Sequence, residues 1–457
     1  MVNADTKKKN NFREVFSWAL WDWGTSAFSV LVTTFVFARY IVSDSFIDPA
    51  IVSAYNAAGG DQAADGPAKT AYLTASADLT SSLGWALAIG GLLVAAIAPI
   101  VGQRTDQGGQ RRKWLGINTL IVIALTLAMF FVDAVPSSFI AGITLLALAT
   151  VFYEMANVNY NAMLLQISTP QNIGRVSGFG WGMGYVGGIV VLLIALAGFI
   201  LGDPPYWFGI TDEGSMNIRV IVLLAAIWSL VFSIPAMVFI PENIAIDPDS
   251  GRGIIDSYRI VFRKIGQLHR EARSTFYFLW ASAIYRDGLV GVFTFGGILA
   301  GKVFGLSDTE VILFAVGGNL VAGIGVFVGG VLDDRFSPRA VIITSLSGLV
   351  ITGTALFILH DGGPMVFWIG GLALTLFVGP AQASSRTLIG RLAPKGNEGE
   401  LFGLYATTGR AISFLTPALF GLFVGMGNAD YWGILGIVIV LLAGLLLLLP
   451  IRTPSIR

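Results

Sequence analysis

The feature that most constrains this chain is a series of long apolar segments separated by short polar ones. Each segment has about 20 or more mostly apolar residues, the length that an α-helix needs to cross a bilayer. Because only helices and closed barrels satisfy their backbone hydrogen bonds in lipid, runs of this length favour helices. The sequence therefore predicts an all-α integral membrane protein with twelve transmembrane helices, spans 1 to 12. They lie at 16–41, 80–101, 114–133, 138–163, 176–201, 218–240, 275–299, 309–332, 338–359, 364–385, 401–425 and 431–450.

The composition agrees with a membrane protein and excludes several chemistries. Only 12% of the residues are charged, whereas about 25% are charged in soluble proteins. The absence of cysteine excludes disulfides, thiolate metal sites and cysteine nucleophiles. The sequence shows no metal-ligand cluster, phosphate-binding loop, ATP motif or nucleophile beside a base. We therefore predict a monomeric non-enzyme with no cofactor, metal or nucleic-acid partner, whose partners are the lipid bilayer and a small molecule.

The distribution of basic residues predicts the orientation in the membrane. Most Lys and Arg fall in the two termini and in alternate loops, whereas the loops on the other side have only Lys69 and Lys302. Because basic residues are retained on the cytoplasmic side, both termini are predicted to be cytoplasmic, in the cell membrane. The acidic segment 42–79 then lies outside and is predicted to be a solvated loop, with or without a short helix.

A polar motif occurs twice, as GQRTDQGGQRRK at 102–113 and as GVLDDRFSPR at 330–339. The two copies align Asp106 with Asp334, and each has basic residues close behind, Arg111 and Arg335 among them. Each copy follows one apolar stretch and precedes another. Parallel repeats of this kind indicate a transporter built from two similar bundles. Asp106 is expected to accept hydrogen bonds from the N-terminus of a neighbouring helix.

A polar stretch separates the two halves of the chain. PENIAIDPDSGRG is rich in turn-forming residues, and the apolar residues after it recur at helical spacing with Arg and Lys between them. This pattern predicts an amphipathic helix on the inner membrane surface, although a simple tether explains the segment equally well. The predicted domains are an N-terminal six-helix bundle at 1–240, a linker at 241–274 and a C-terminal six-helix bundle at 275–457.

Several motifs resemble a known family of transporters. The 102–113 segment resembles the major facilitator superfamily signature between helices 2 and 3. Within that superfamily, four segments are similar to the vacuole-effluxer branch, also called the unknown major facilitator family. They are WALWDWGTSAF at 18–28, GRVSGFGWGMGYVGG at 174–188, GPAQASSRTLIGRLAP at 379–394 and ELFGLYATTGRAISFLTP at 400–417. The resemblance implies the major facilitator fold, with two pseudo-symmetric six-helix bundles, and secondary transport by alternating access. Fungal members are associated with amino-acid efflux from vacuoles.

The chain departs from the family pattern at three places. Arg286 precedes Asp287 where the family usually has an uncharged Asn, and Gln166 stands near the end of span 4 where an acid is common. Gln107 replaces the usual basic residue of the first motif. Since Arg286 adds a cation near the expected cavity, the substrate is not inherited from the resemblance.

Charged side chains inside membrane helices are costly and indicate functional sites. The candidates here are Asp22, Glu154, Arg286, Asp287 and Arg410. The resemblance implies that spans 1, 4, 7 and 10 line the central cavity, and the first four candidates belong to these spans. Together with polar and aromatic neighbours they form the predicted substrate site, which comprises Trp21, Tyr153, Asn157, Tyr285, Arg286, Gln382 and Ser385.

Asp22 is the first candidate for proton coupling, followed by Glu154 and Asp287, because a buried carboxyl group can exchange protons as access alternates. The alternative is that Asp22 only braces span 1 through Ser26 or another helix. Arg286 is predicted to hold a substrate carboxylate, while a neighbouring acid holds an ammonium. The alternative for Arg286 is an ion pair with Glu154 or Asp22.

The remaining candidates are predicted to act in gating or structure. Arg410 is expected to brace span 11 at its cytoplasmic end. Small residues at four-residue spacing let helices approach closely, so the glycines of span 5 could serve a sliding contact with span 8 or tight static packing. The complete set is Asp106, Arg111, Asp334, Arg335, Arg410, Gly180, Gly184 and Gly188.

These patterns predict a proton-coupled secondary transporter of an amino acid or a related zwitterion. A transporter of a sugar or of an amphiphilic, drug-like compound is the first alternative, because the aromatic walls suit it. A receptor or scaffold that acts through the 241–274 segment without transporting anything is the alternative of another class. The sequence leaves the direction of transport open.

Overall fold

The computed structural model describes residues 12–60, 66–242, 254–306, 308–393, 398–427 and 429–451. Throughout these ranges the regular structure is helical. The twelve spans are, in order, Phe12–Ala27 with the π-helix Phe28–Phe35, Pro67–Gly108, Arg111–Met129, Phe139–Ile167, Ile173–Phe199, Met216–Phe239, Arg273–Lys302, Asp308–Arg335, Pro338–Ile358, Gly363–Leu392, Glu398–Ile412 with Leu415–Gly427, and Trp432–Leu448. Ten helices of the described part are by themselves long and apolar enough to cross a membrane. The predicted twelve-helix fold is confirmed.

Span 2 begins well before its predicted start. Its helix starts at Pro67, which occupies the first turn, where a missing N–H costs nothing. The Ser and Thr residues that follow lower the hydropathy, but the alanines among them are strong helix formers. The prediction of a loop is therefore wrong for 67–79. Earlier in that segment, Pro49–Ala57 is a short helix whose first turn is capped by Asp48, which accepts a hydrogen bond from the Ala50 amide at 2.8 Å.

Each half of the chain has its own apolar core. In the N-terminal half, spans 1, 3, 4, 5 and 6 bury large side chains such as Trp18, Phe28 and Leu115. In the C-terminal half, spans 7, 9, 10 and 12 bury Phe278, Tyr285 and others around a separate centre. The halves meet mainly where span 2 packs on span 11 and span 5 packs on span 8. The two cores are thus largely separate, although Ala162 of span 4 belongs to the C-terminal cluster.

The segment between the halves contains a helix, Ile254–Glu271. Ile265 and Leu268 pack against the C-terminal core, whereas Arg259 and Arg263 are exposed. The predicted helical periodicity is thus observed, while a location on the membrane surface stays a prediction. The turn-rich stretch predicted before this helix falls largely at 243–253, outside the described residues.

Glycines on two different faces of span 5 pack against two different helices. Gly180, Gly184 and Gly188 face span 1 of the same half, and a Cβ atom on Gly184 would lie 3.1 Å from an oxygen of Asp22. A different face of span 5 meets span 8, because a Cβ on Gly178 would lie 2.8 Å from the Val326 carbonyl oxygen. The structure therefore favours static packing for the three predicted glycines.

Candidate functional site

A cavity of about 400 Å³ lies between the two halves. Spans 1, 4 and 5 of the N-terminal half and span 8 of the C-terminal half line it. It extends from Asp22, in the middle of span 1, to the exposed residues Phe35 and Arg39 near the end of that span. Its wall is largely apolar and includes Val30, Val36, Ile189, Leu192, Leu196, Ile200 and Val316.

Asp22 is a carboxylate at the inner end of this cavity. It is half-buried, and the Tyr160 hydroxyl donates a hydrogen bond to its Oδ2 at 3.3 Å. Gly184 leaves room for the carboxylate from span 5, since any larger residue there would contact it. Ser26 donates instead to the Trp23 carbonyl at 2.7 Å. The bracing contact with Ser26 is therefore not formed, but the hydrogen bond from Tyr160 links Asp22 to span 4, the other form of the bracing alternative. The carboxylate also borders the cavity.

Polar side chains near Asp22 complete the inner end of the cavity. Tyr153 lines it, and its hydroxyl accepts a hydrogen bond from Ser29 at 3.1 Å. Asn157 also contributes a side-chain hydrogen bond to Tyr153. From span 5, the Tyr185 hydroxyl donates to Oε1 of Gln382 at 3.2 Å, which joins the two halves. Of the predicted substrate residues, Tyr153 thus lines the cavity, and Asn157 and Gln382 bind residues that do.

Other predicted substrate residues lie inside the halves. Trp21 has no exposed surface; its indole donates to Thr119 at 2.9 Å and its ring stacks on Tyr160 at 4.4 Å. Tyr285 and Ser385 are equally buried and share a hydrogen bond of 2.7 Å. None of the three lines the cavity in this arrangement of the halves. Their roles in substrate binding stay predictions.

The remaining charged candidates bind protein groups. The guanidinium of Arg286 lies 3.4 Å from the centre of the Tyr405 ring and donates to the Tyr405 carbonyl at 2.6 Å. Asp287 accepts a hydrogen bond from the Thr416 amide at 2.6 Å, at the start of the second segment of span 11. The two side chains diverge, as expected for adjacent helical residues. The alternative ion pairs of Arg286 with Glu154 or Asp22 are not formed.

Glu154 instead forms an ion pair with Arg410 of the other half. Arg410 lies 12 residues after Glu398, where span 11 begins, and therefore roughly 18 Å along the helix at 1.5 Å per residue. The predicted position at the end of span 11 is wrong. The prediction failed because Arg410 was assigned to the end of span 11 that follows a loop rich in basic residues.

The two motif copies define one side of the molecule, here called the motif side, which is closed. Asp106 accepts hydrogen bonds from the Nε atom of Arg111 at 2.8 Å and from the Glu400 amide at 2.9 Å. Arg111 also binds Glu398 at 2.6 Å. A side chain on Gly102 would collide with the Gly399 backbone. The first copy thus caps span 11 of the other half, in agreement with the predicted cap by Asp106.

The second copy makes the equivalent contact in the other direction. Asp334 accepts hydrogen bonds from the backbone amides of Gly174 and Arg175, at 2.7 Å and 3.0 Å, at the start of span 5. A carboxylate at a helix N-terminus binds the free amides and the positive end of the helix dipole. Arg335, by contrast, lies 5.7 Å from the ring of its neighbour Phe336. The repeat therefore closes the motif side with two caps, while the cavity extends toward the opposite side.

One buried charge was missed by the sequence analysis. The predicted span 10 ends at 385, which assigns Arg386 to the following loop, but the helix continues to Leu392 and Arg386 is only 4% exposed. Its guanidinium donates to the Ser177 carbonyl at 2.6 Å and to Asn161 at 3.2 Å. The apolar residues Leu388, Ile389 and Leu392 continue the helical pattern past Arg386 and could have revealed it.

Comparison with known proteins agrees with this architecture. The family described as "Vacuole effluxer Atg22 like" matches residues 10–172 and 166–455. The uncharacterized MFS-type transporter YxiO of Bacillus subtilis (strain 168) is 24% identical over 452 residues, covering 98% of this chain and 95% of that protein. Autophagy-related protein 22-1 of Neosartorya fischeri is 23% identical over 270 residues, covering 54% of this chain and 43% of the fungal protein. The match thus spans less than half the length of the fungal relative.

Solved structures with the same fold are transporters of the major facilitator superfamily (MFS). The proton:xylose symporter XylE gives a TM-score of 0.69 at 10% identity, over 95% of this chain and 94% of that chain. A bacterial homologue of the iron transporter ferroportin, in its outward-facing state, gives a TM-score of 0.65 at 13% identity, over 97% and 99% of the two chains. At these identities the likeness concerns the fold alone.

Proposed function

Because the chain belongs to the Atg22-like vacuole effluxer family of MFS transporters, we propose that it moves an amino acid or a related zwitterion by proton-coupled alternating access. The chain is a multi-pass membrane transporter and not an enzyme. The observation that carries the proposal is the carboxylate of Asp22 at the inner end of a cavity between the halves. The proposed location is the cell membrane, with both termini in the cytoplasm.

The positions of the contacts between the halves support alternating access. The caps made by Asp106 and Asp334 close the motif side, and the cavity reaches the other side. Because each half has its own core, rocking of the halves breaks contacts between them and preserves those within them. Breaking the caps and closing the mouth near Arg39 would expose Asp22 to the motif side.

Asp22 is the best-placed coupling group among the predicted carboxylates. Glu154 is engaged by Arg410, and Asp287 caps the second segment of span 11. Asp22 has one hydroxyl partner at 3.3 Å and otherwise borders the cavity. A carboxylate in this position can bind a proton or an ammonium group from the cavity, and its charge then differs between the loaded and empty states.

The cavity also supports a particular orientation of the substrate. An ammonium group would bind Asp22, and an apolar side chain would lie against Val30, Ile189 and Leu192. Arg286, the predicted partner of a substrate carboxylate, is held by Tyr405 in this arrangement. Its role in binding therefore requires it to leave Tyr405 when the halves rearrange.

The apolar wall favours a second candidate, an amphiphilic amine of drug-like size. A hydrophobic ligand gains from burying its surface against the wall, and no basic side chain lines the inner end of the cavity in the described ranges. Arg39 lines only the outer end. This candidate shares the ammonium site at Asp22 and differs in lacking a carboxylate.

The test is uptake of radiolabelled solutes by the purified protein in liposomes, with and without a pH gradient. We expect uptake of amino acids that the pH gradient drives, and loss of that drive in Asp22→Asn. The matched control is Asp361→Asn, the same change at a side chain that is 93% exposed. Gradient-driven uptake in Asp22→Asn equal to that in the control would remove Asp22 as the coupling group. Uptake of amphiphilic amines alone would select the second candidate.

A further inference from the structure

A buried cation links the two halves at a point that the proposed function does not use. Arg386 belongs to span 10 of the C-terminal half, but its guanidinium lies among side chains of the N-terminal half. It donates hydrogen bonds to the carbonyl of Ser177 at 2.6 Å, to the hydroxyl of Ser177 at 3.1 Å and to Asn161 at 3.2 Å. All these acceptors are uncharged and belong to spans 4 and 5. The contact must therefore break or slide when the halves separate on the motif side.

Aromatic rings surround the same guanidinium. Its central carbon lies 4.9 Å from the ring centre of Trp18, 5.7 Å from Tyr160 and 5.6 Å from Trp181. Trp18 and Tyr160 are themselves stacked, with ring centres 4.3 Å apart. Ring faces attract a cation but do not neutralise it. No carboxylate of the described ranges lies within ion-pair distance of Arg386, so this buried charge depends on a negative group farther away.

Asp22 is placed to be that group. The ring of Tyr160 borders the guanidinium, and the Tyr160 hydroxyl donates to Asp22 at 3.3 Å. The opposite charges of Asp22 and Arg386 attract each other across this ring. Within the described residues, the phenols of Tyr153 and Tyr185 also interact electrostatically with Asp22, and both are uncharged when protonated. Because a buried cation without a compensating anion is strongly unfavourable, the charge on Asp22 bears on whether Arg386 stays in place.

We propose that Arg386 is a positioning residue that couples the charge of Asp22 to closure of the motif side. While Asp22 is negative, Arg386 is held among Trp18, Tyr160 and Trp181, and the halves stay together. When a proton or a substrate ammonium binds Asp22, the compensating charge is lost, Arg386 leaves the N-terminal half, and the motif side opens. The proposal rests on the proposed function, in which Asp22 is the coupling group.

Because the chain has no cysteine, spin labels attach only to cysteines that are introduced, and the distance between two labels measures closure. Gln171→Cys and Phe336→Cys place spin labels on exposed positions of the two halves at the motif side. Leu201→Cys and Lys302→Cys do the same on the opposite side. Pulsed electron paramagnetic resonance of the protein in nanodiscs then measures the distance within each label pair, in a series of buffers from alkaline to acidic pH. As the pH falls, we expect the motif-side distance to lengthen and the opposite distance to shorten.

Arg386→Gln is the decisive variant, and Arg263→Gln, at an exposed position of the linker helix, is its control. In the parent protein and the control, we expect the ratio of open to closed populations to change with pH by about 5- to 150-fold, the usual range for coupled sites. In Arg386→Gln we expect the motif side to be open at every pH. Arg386→Lys keeps the charge but loses the planar, multiply donating group, so its pH response should be weaker.

The outcomes separate this inference from the proposed function. If Asp22→Asn abolishes the pH response and Arg386→Gln retains that of the parent protein, the inference is overturned and Asp22 stands. If Asp22→Asn itself retains the full response, Asp22 is not the coupling group and both fail. Should Arg386→Gln not fold, Arg386→Lys decides: a weakened response supports the inference, and an unchanged one overturns it.

Discussion

The two copies of the repeated motif make the same contact in different surroundings. Asp106 and its partner Arg111 are 1% and 3% exposed, and Arg111 reaches a second acid, Glu398. Asp334 is 6% exposed, but its partner Arg175 is 60% exposed. Asp334 also lies 3.6 Å from Arg391 of its own half. Both aspartates cap a helix of the other half, yet only in the first copy is the ion pair between the halves buried on both sides. The repeat therefore conserves the cap, while the strength of each closure depends on burial that the motif does not encode.

The largest effect is expected for Asp106→Asn. The change leaves Arg111 buried with only Glu398 as its anion and weakens the cap on span 11. Breaking a buried ion pair costs about 3–5 kcal/mol. Because Glu398 still pairs with Arg111, we expect the cost for this variant to be at or below the lower end of that range. The motif-side label distance should shift toward the open population. A closed population equal to that of the parent protein would contradict the importance of the buried network.

Gly102→Ala should have the next largest effect, because its new methyl group meets the Gly399 backbone. Overpacking of this kind costs about 1–3 kcal/mol. Because the clash exists only while the motif side is closed, it destabilises the closed arrangement relative to the open one. The control is Gly108→Ala in the same helix, where a Cβ would approach only the Gln110 side chain at 4.0 Å. The same label distances measure the effect. Equal closure of both variants would show that the close approach of spans 2 and 11 is not required.

Asp334→Asn should open the motif side less than Asp106→Asn. The amide oxygen can still accept from the backbone of Gly174, and an exposed Arg175 is readily solvated after its partner loses charge. Arg391, which lies 3.6 Å from Asp334, keeps Asp333 as its anion at 3.2 Å. Loss of a cap costs about 0.5–2 kcal/mol. The two variants should be compared in one buffer by the same label pair. If Asp334→Asn opened the protein more than Asp106→Asn, burial would not be what distinguishes the copies.

The smallest effect is expected for Arg175→Gln. Its ion pair with Asp334 is largely exposed, and such pairs contribute about 0–1 kcal/mol. The backbone amides that donate to Asp334 remain in place. The open population should change little. Any effect of salt concentration on that population that arises from this ion pair should disappear. A large opening would mean that the guanidinium, and not the helix N-terminus, holds the second closure.

The sequence predicts the spans better than it predicts their neighbours. Runs of apolar residues identify the twelve helices because lipid requires continuous helical backbone. They do not define which face of a helix meets which partner. Trp21 and Tyr285, adjacent to the charges of spans 1 and 7, were therefore predicted to face the cavity, although both are packed within their halves. The rotation of each helix follows from contacts with helices distant in the sequence.

The candidate site shows the same division. Asp22 was identified because a carboxylate in the middle of an apolar helix is costly, and the structure places it at the cavity. Arg386 was missed because counting basic residues by loop assigns every Arg near a helix end to the loop. Glu154 and Arg410 were each identified, but their pairing across the halves depends on tertiary contacts between spans 4 and 11.

In the proposed function, the charge of Asp22 couples solute movement to proton movement. The most direct measurement is the pH inside liposomes, followed with a trapped dye while an amino acid is added outside. The parent protein should move protons together with, or in exchange for, the solute. Asp22→Asn should still exchange labelled for unlabelled solute but move no protons. Solute-dependent proton movement in Asp22→Asn at the rate of the parent protein would contradict the claim.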